Sequence, residues 1–129
     1  MATFEILAAS SGSSSVVGYP EGTKMYVALL NQTGTNDPVA TVLVNTFGGT
    51  VVWTYNTNGD YNAALAGVFT ENKTWLLISA VMTDPSNTYT GFVFNRVDSS
   101  NINLRTYFGT DKTDNQLSNV AIQILVFPS

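Results

Sequence analysis

The sequence predicts an all-β fold, a single antiparallel β-sandwich or jelly-roll-like barrel of about eight or nine strands over residues 1–129. Three observations predict it. Runs of five to ten residues rich in Val, Ile, Thr and aromatics recur along the chain, each closed by a Gly, Asn, Asp or Pro cluster. The composition holds 17 Thr, 13 Asn and 11 Ser, residues that suit strands and turns because Thr is β-branched while Asn and Ser compete for helical backbone hydrogen bonds. Turns fall roughly every ten residues, with no helical pattern of 10–15 residues between them, no fixed-period repeat and no linker.

The runs follow in order. Residues 3–9 form the first, ahead of the flexible Ser10–Ser15 loop; Val16-Val17 precedes a turn at Tyr19–Gly22. Lys24–Leu30 leads through a loop at Asn31–Pro38 to Val39–Val44. Phe47-Gly48-Gly49 then separates that strand from Thr50–Tyr55, and Asn58-Gly59 turns the chain into Asp60-Tyr61. Three consecutive antiparallel strands are expected there, the second turn being of type I′, which needs positive φ at both central residues. Tyr61–Phe69 is the one stretch with a short-helix alternative, against which stand its length and Gly67.

Thr74–Met82 is the most apolar run and is placed in the middle of a sheet with both faces covered. Asp84–Asn87 is a turn, Thr88–Phe94 returns, and Asp98–Asn101 turns again. Ile102–Phe108 alternates, with Ile102, Leu104, Thr106 and Phe108 on one face and Asn103, Arg105 and Tyr107 on the other. After a polar loop at Gly109–Asn115, Val120–Phe127 puts Val120, Ile122, Ile124 and Val126 on a common face.

Composition excludes several functions. The net charge is −4, and Lys24, Lys73, Arg96, Arg105 and Lys112 are scattered singly, so neither a phosphate-backbone grip nor a polybasic membrane anchor is present. Nucleic acid and membrane are not expected partners. The N-terminal residues lack a basic region followed by a long apolar one, and no run approaches the ~20 apolar residues that span a bilayer, so synthesis in the cytosol of the producing cell is expected. The sequons Asn31-Gln-Thr33 and Asn72-Lys-Thr74 are therefore discounted.

With no His and no Cys, histidine-based triads, thiol nucleophiles and imidazole or thiolate metal sites are excluded. No catalytic residue and no cofactor is expected. The nine acids leave a two-carboxylate glycosidase as a remote alternative, but six of them sit at turn positions that Asp and Glu fill for local hydrogen bonding. Asp111 and Asp114 are weak metal candidates, lacking the dense alternating carboxylates and Gly turn of a calcium loop. The aromatics are the remaining candidates. Trp75, in the most apolar run, reads as core. Trp53, Tyr55 and Tyr107 are the candidate contacts, since outward-facing Trp and Tyr stack on sugars or anchor protein interfaces.

Residues 22–43, with Gly49-Thr-Val-Val-Trp53, Gly59-Asp-Tyr61 and Phe69-Thr-Glu-Asn-Lys-Thr74, resemble small, mostly uncharacterised proteins encoded by tailed phages and prophages of Bacteroidetes. The resemblance covers about two thirds of the chain and carries no assigned site residues. It implies a virion location and a non-enzymatic role as capsid decoration, head fibre or tail accessory. The partners would be other virion proteins or further copies in a homo-oligomer. The alternative is a carbohydrate-binding or receptor-binding domain that takes surface glycans through its aromatics.

Overall fold

The computed structural model describes residues 18–79 and 90–129. The strand expected at 3–9, the Ser-rich loop, Val16-Val17, the end of the run at 80–82, the turn at 84–87 and Tyr89 lie outside the described residues. Within them the chain forms nine strands: β1 (Lys24–Asn31), β2 (Val39–Asn45), β3 (Val52–Thr57), β4 (Asp60–Ala64), β5 (Thr74–Ile78), β6 (Thr90–Arg96), β7 (Asn101–Phe108), β8 (Asp111–Lys112) and β9 (Val120–Val126). Every pairing is antiparallel. One sheet, here sheet A, runs β2-β1-β9-β5; the other, sheet B, runs β3-β4-β7-β6, with β8 paired to β7. Two separate sheets sharing one core make this a sandwich.

Period-two alternation explains which side chains fill that core. Sheet A contributes Tyr26, Ala28 and Leu30 from β1 and Val120, Ile122, Ile124 and Val126 from β9. Sheet B contributes Trp53, Tyr61, Ala63, Ile102 and Leu104. The alternation expected in β7 holds through Thr106, but Phe108 is 39% exposed, because it ends the strand where Gly109 (φ 66°) turns the chain toward β8. The segment after Tyr61 is a strand followed by a turn, not a helix; Tyr61 and Ala63 both point inward from β4.

Two expected connections differ. Phe47-Gly48-Gly49 does not close a hairpin: β2 and β3 belong to different sheets, so the segment crosses the end of the sandwich. Phe47 drives the crossing. It is buried, stacks on Tyr26 with centroids 6.1 Å apart and meets Phe69 edge-on at 6.0 Å. Its amide donates to Asn45 Oδ1, whose Nδ2 donates to the Gly49 carbonyl, forming a side-chain-closed bend. Asn58-Gly59 does join β3 to β4, but only Gly59 has positive φ (62°), and the register shifts between Tyr55 and Thr57, so the turn is not type I′.

The run placed at the centre of a sheet is instead the outermost described strand of sheet A, with Trp75 52% and Leu77 45% exposed. A strand apolar on both sides reads as doubly covered, yet here only its inward row, Leu76 and Ile78, meets the core.

Two glycines test the backbone account. A Cβ on Gly59 would lie 2.5 Å from the Thr113 nitrogen and 2.6 Å from the Thr106 carbonyl oxygen, both backbone atoms that cannot step aside. Gly59→Ala should lower unfolding free energy by at least about 2 kcal/mol, from positive φ and the clash together. Gly91, at ordinary φ with only Tyr107 Cβ at 3.8 Å, should accept alanine with a change between zero and a gain of about 0.5 kcal/mol. Urea unfolding of both variants checks the pair, and equal effects would contradict it.

Candidate functional site

The three aromatic candidates do not form one platform. Trp53 faces inward from β3 and is only 6% exposed, so its expected role as a surface contact is corrected. Its ladder partner is Ala63, whose small side chain leaves the indole room to reach Phe94, at 6.5 Å between centroids. The indole Nε1–H donates to Tyr26 Oη at 3.2 Å, which satisfies the polar edge of a buried ring. Tyr55 is half-buried, tilted against Tyr61 at 5.9 Å. Tyr107 is half-buried on the opposite, outward side of sheet B, between Gly91 and Lys112 in the ladders.

Asp114 organises one end of the sandwich. Its Oδ1 accepts the Gly59 amide at 2.7 Å and its Oδ2 accepts the Tyr55 hydroxyl at 3.0 Å. Its own amide donates to Asn58 Oδ1 at 3.0 Å, and Asn58 Nδ2 donates to the Lys112 carbonyl at 2.9 Å. Beside it the buried Tyr61 hydroxyl donates to Gln32 Oε1 at 2.8 Å, which also accepts the Asn115 amide. Gln32 Nε2 in turn donates to the carbonyls of Gly34 and Asn36. Three loops, 32–38, 58–59 and 113–119, are thus tied by side chains that each bond backbone from another segment.

Asp114 therefore serves as a structural acceptor, while Asp111 is exposed on β8. Among the described residues no group of three or more His, Cys, Asp or Glu is placed to hold a metal ion. Asp60 is likewise engaged, by Asn56 and Asn103 amides at 3.0 and 2.8 Å and by Arg105 and Lys112 at 3.7 and 3.9 Å. The Asp37 carboxylate accepts the Tyr55 amide at 2.8 Å, capping part of the free edge of β3.

The two outward faces differ in chemistry. On sheet B, Thr54, Asn62, Asn103 and Asn95 lie in register across four strands, and Asn62 and Asn103 donate to Asn101 and Asp60. This is a cross-linked amide surface. On sheet A, register places Val44, Val27, Gln123 and Leu77 in one outward row and Met25, Leu125 and Trp75 in the next, where Leu125 is itself buried. The register shift in β2 leaves Leu43 without a partner in the ladder and 58% exposed. Trp75 also approaches Phe127, whose ring meets Tyr19 edge-on. A shallow open depression lined by Val27, Leu77, Ser79, Ala121 and Gln123 runs across this face.

No outward position of β1, β2, β5 or β9 carries a charged side chain, so the face is apolar and electrically neutral. Sequence reasoning misses it by assigning Trp75 to the core. The signal that could have found it is that β1, β2 and β5 are apolar at both parities, whereas β7 is polar on its outward parity. No helix among the described residues is long and apolar enough to cross a membrane.

Burial pushes the Tyr61 phenol up to about 12, and the Asp114 charge adds to the shift; Tyr55 is raised as well, by desolvation first and then by Asp114. An unfolded tyrosine ionises near pH 10, so the folded chain keeps a proton that the unfolded chain releases between about pH 10 and about pH 12. Stability should be complete below that window and fall as pH rises through it. Tyr61→Phe should flatten this alkaline slope while costing about 1 kcal/mol at neutral pH for the lost bond to Gln32. Unfolding curves across the window check this, and an unchanged slope in the variant would contradict it.

No family model matches the chain, and neither does any curated protein or solved structure.

Proposed function

We propose that this protein is a non-enzymatic structural component of a phage virion, a capsid decoration, head fibre or tail accessory, and that it acts by assembling with other subunits through the outward face of sheet A. The observation that carries the reading is that neutral apolar face, which carries on its β5 edge a tryptophan that is 52% exposed. Contiguous exposed apolar surface on a soluble domain costs solubility unless a partner covers it, and Trp is the residue most enriched where binding energy concentrates. The face is broad and shallow, which suits another protein surface better than a small molecule.

The virion context rests on the resemblance of residues 22–43 and the shorter motifs after them. The absence of His and Cys supports a role without acid–base or nucleophilic chemistry of the common kinds. Glycan binding is less well supported, because Trp53 is in the core and Tyr55 is spent on Asp114.

The double variant Trp75→Lys, Leu77→Lys tests the reading, since both side chains point away from the core and the fold should survive by circular dichroism. Sedimentation of the wild type, alone and with purified virion components, should reveal self-association or co-sedimentation. The variant should weaken it at least about tenfold, as expected when an aromatic anchor is lost and charge is put in its place. A wild type that stays monomeric and binds no virion component would overturn the proposal, as would a folded variant that assembles normally.

A further inference from the structure

Asn58-Gly59 is the one Asn-Gly pair in the chain. That dipeptide is prone to a spontaneous reaction, because a glycine amide is unhindered by a side chain. Its nitrogen attacks the preceding asparagine Cγ and forms a succinimide; the Cγ–Nδ2 bond breaks, and ammonia leaves with the proton from the glycine nitrogen. Water then opens the ring to an aspartate or isoaspartate at position 58. The attack needs a free, deprotonated glycine nitrogen and a side chain able to swing over it.

Both requirements are blocked here, and by the same neighbour. The Gly59 amide donates to Asp114 Oδ1 at 2.7 Å, and a carboxylate held that close opposes loss of the amide proton. The Asn58 side chain is held at both ends, its Oδ1 by the Asp114 amide and its Nδ2 by the Lys112 carbonyl. The Gly59 carbonyl accepts the Thr106 amide at 2.9 Å, and Gly59 is packed against the backbone of Thr106 and Thr113, so the turn cannot rotate alone. Asn58 itself is exposed, so water is at hand once the turn opens.

We propose that Asn58 is a latent deamidation site, held shut in the folded chain by Asp114 and exposed to reaction when the 113–119 loop lifts from the 58–59 turn. The conversion is one-way in its structural effect. A carboxylate at position 58 cannot donate to the Lys112 carbonyl and places a second negative charge beside Asp114, so the knot that ties the three loops does not close again. Position 58 therefore records opening of this end of the sandwich.

Peptide mass mapping of position 58 after incubation at mildly alkaline pH tests this. Folded wild type should convert at least about tenfold more slowly than the same chain in urea, because reaction is confined to the open state. Asp114→Ala, verified as folded, should convert much faster than wild type, while Asp114→Asn, which keeps a side-chain oxygen acceptor, should stay closer to it. If Asp114→Ala does not fold, hydrogen exchange of the wild-type Gly59 amide gives the same information: it should be protected by a factor matching the slowed conversion. Folded wild type reacting as fast as the urea-unfolded chain, a folded Asp114→Ala as slow as wild type, or an unprotected Gly59 amide would each overturn the proposal.

Discussion

Trp53 lies opposite Ala63 in the β3–β4 ladder, and its indole reaches Phe94 and bonds Tyr26 on the other sheet. This large-on-small packing, repeated where Tyr26 and Tyr61 fill space beside Ala28 and Ala63, fixes the inward row of each sheet. A strand has only two faces, so fixing one row assigns every remaining side chain outward, and a slip of one residue would exchange the two sets. Exposure of Trp75 and Leu77 is thus a consequence of burying Leu76, Ile78 and the β9 row, not an independent feature. Among the described residues no buried side-chain nitrogen or oxygen lacks a hydrogen-bond partner, which is what a uniquely packed interior with several tyrosines requires.

The outward rows then divide the molecule's work. Sheet B lines its outward side with amides tied to each other and to Asp60, Asn95 exposed, Asn62 half-buried and Asn103 covered, which gives it a polar face although few residues are charged. Sheet A turns valines, leucines and a tryptophan outward, interrupted by the uncharged polar side chains of Asn31, Thr41 and Gln123. With only 11% of its residues charged, the chain has little electrostatic repulsion to keep copies or partners apart. The Asp114 knot and the Phe47 plug serve a different purpose: they close loops across the gap between sheets and hold the faces in fixed relation.

Much of this fold is legible in the sequence. The alternation of β7 and β9, the loop before β2 and the break at Asn58-Gly59 follow from local pattern and turn chemistry. The two tryptophans exchange roles because an apolar run looks the same whether its second face meets a core or solvent; Trp53, flanked by Val52 and Thr54, carries no local mark of burial. The Phe47 crossing reads as a hairpin because the glycines signal a turn but not which sheet the chain enters next. Asp114 reads as a turn residue and a weak metal ligand, since its partners Tyr55 and Gly59 are more than fifty positions away and only the fold brings them together.

The assembly role proposed above requires another subunit to cover the outward face of sheet A. Its most direct test is acrylamide quenching in a Trp53→Phe protein, where Trp75 is the sole tryptophan. The fluorescence should be readily quenched in the isolated domain and strongly protected when the protein is mixed with purified virion components or self-associates. Equal quenching in the two states would show that the face stays in water and would contradict the account.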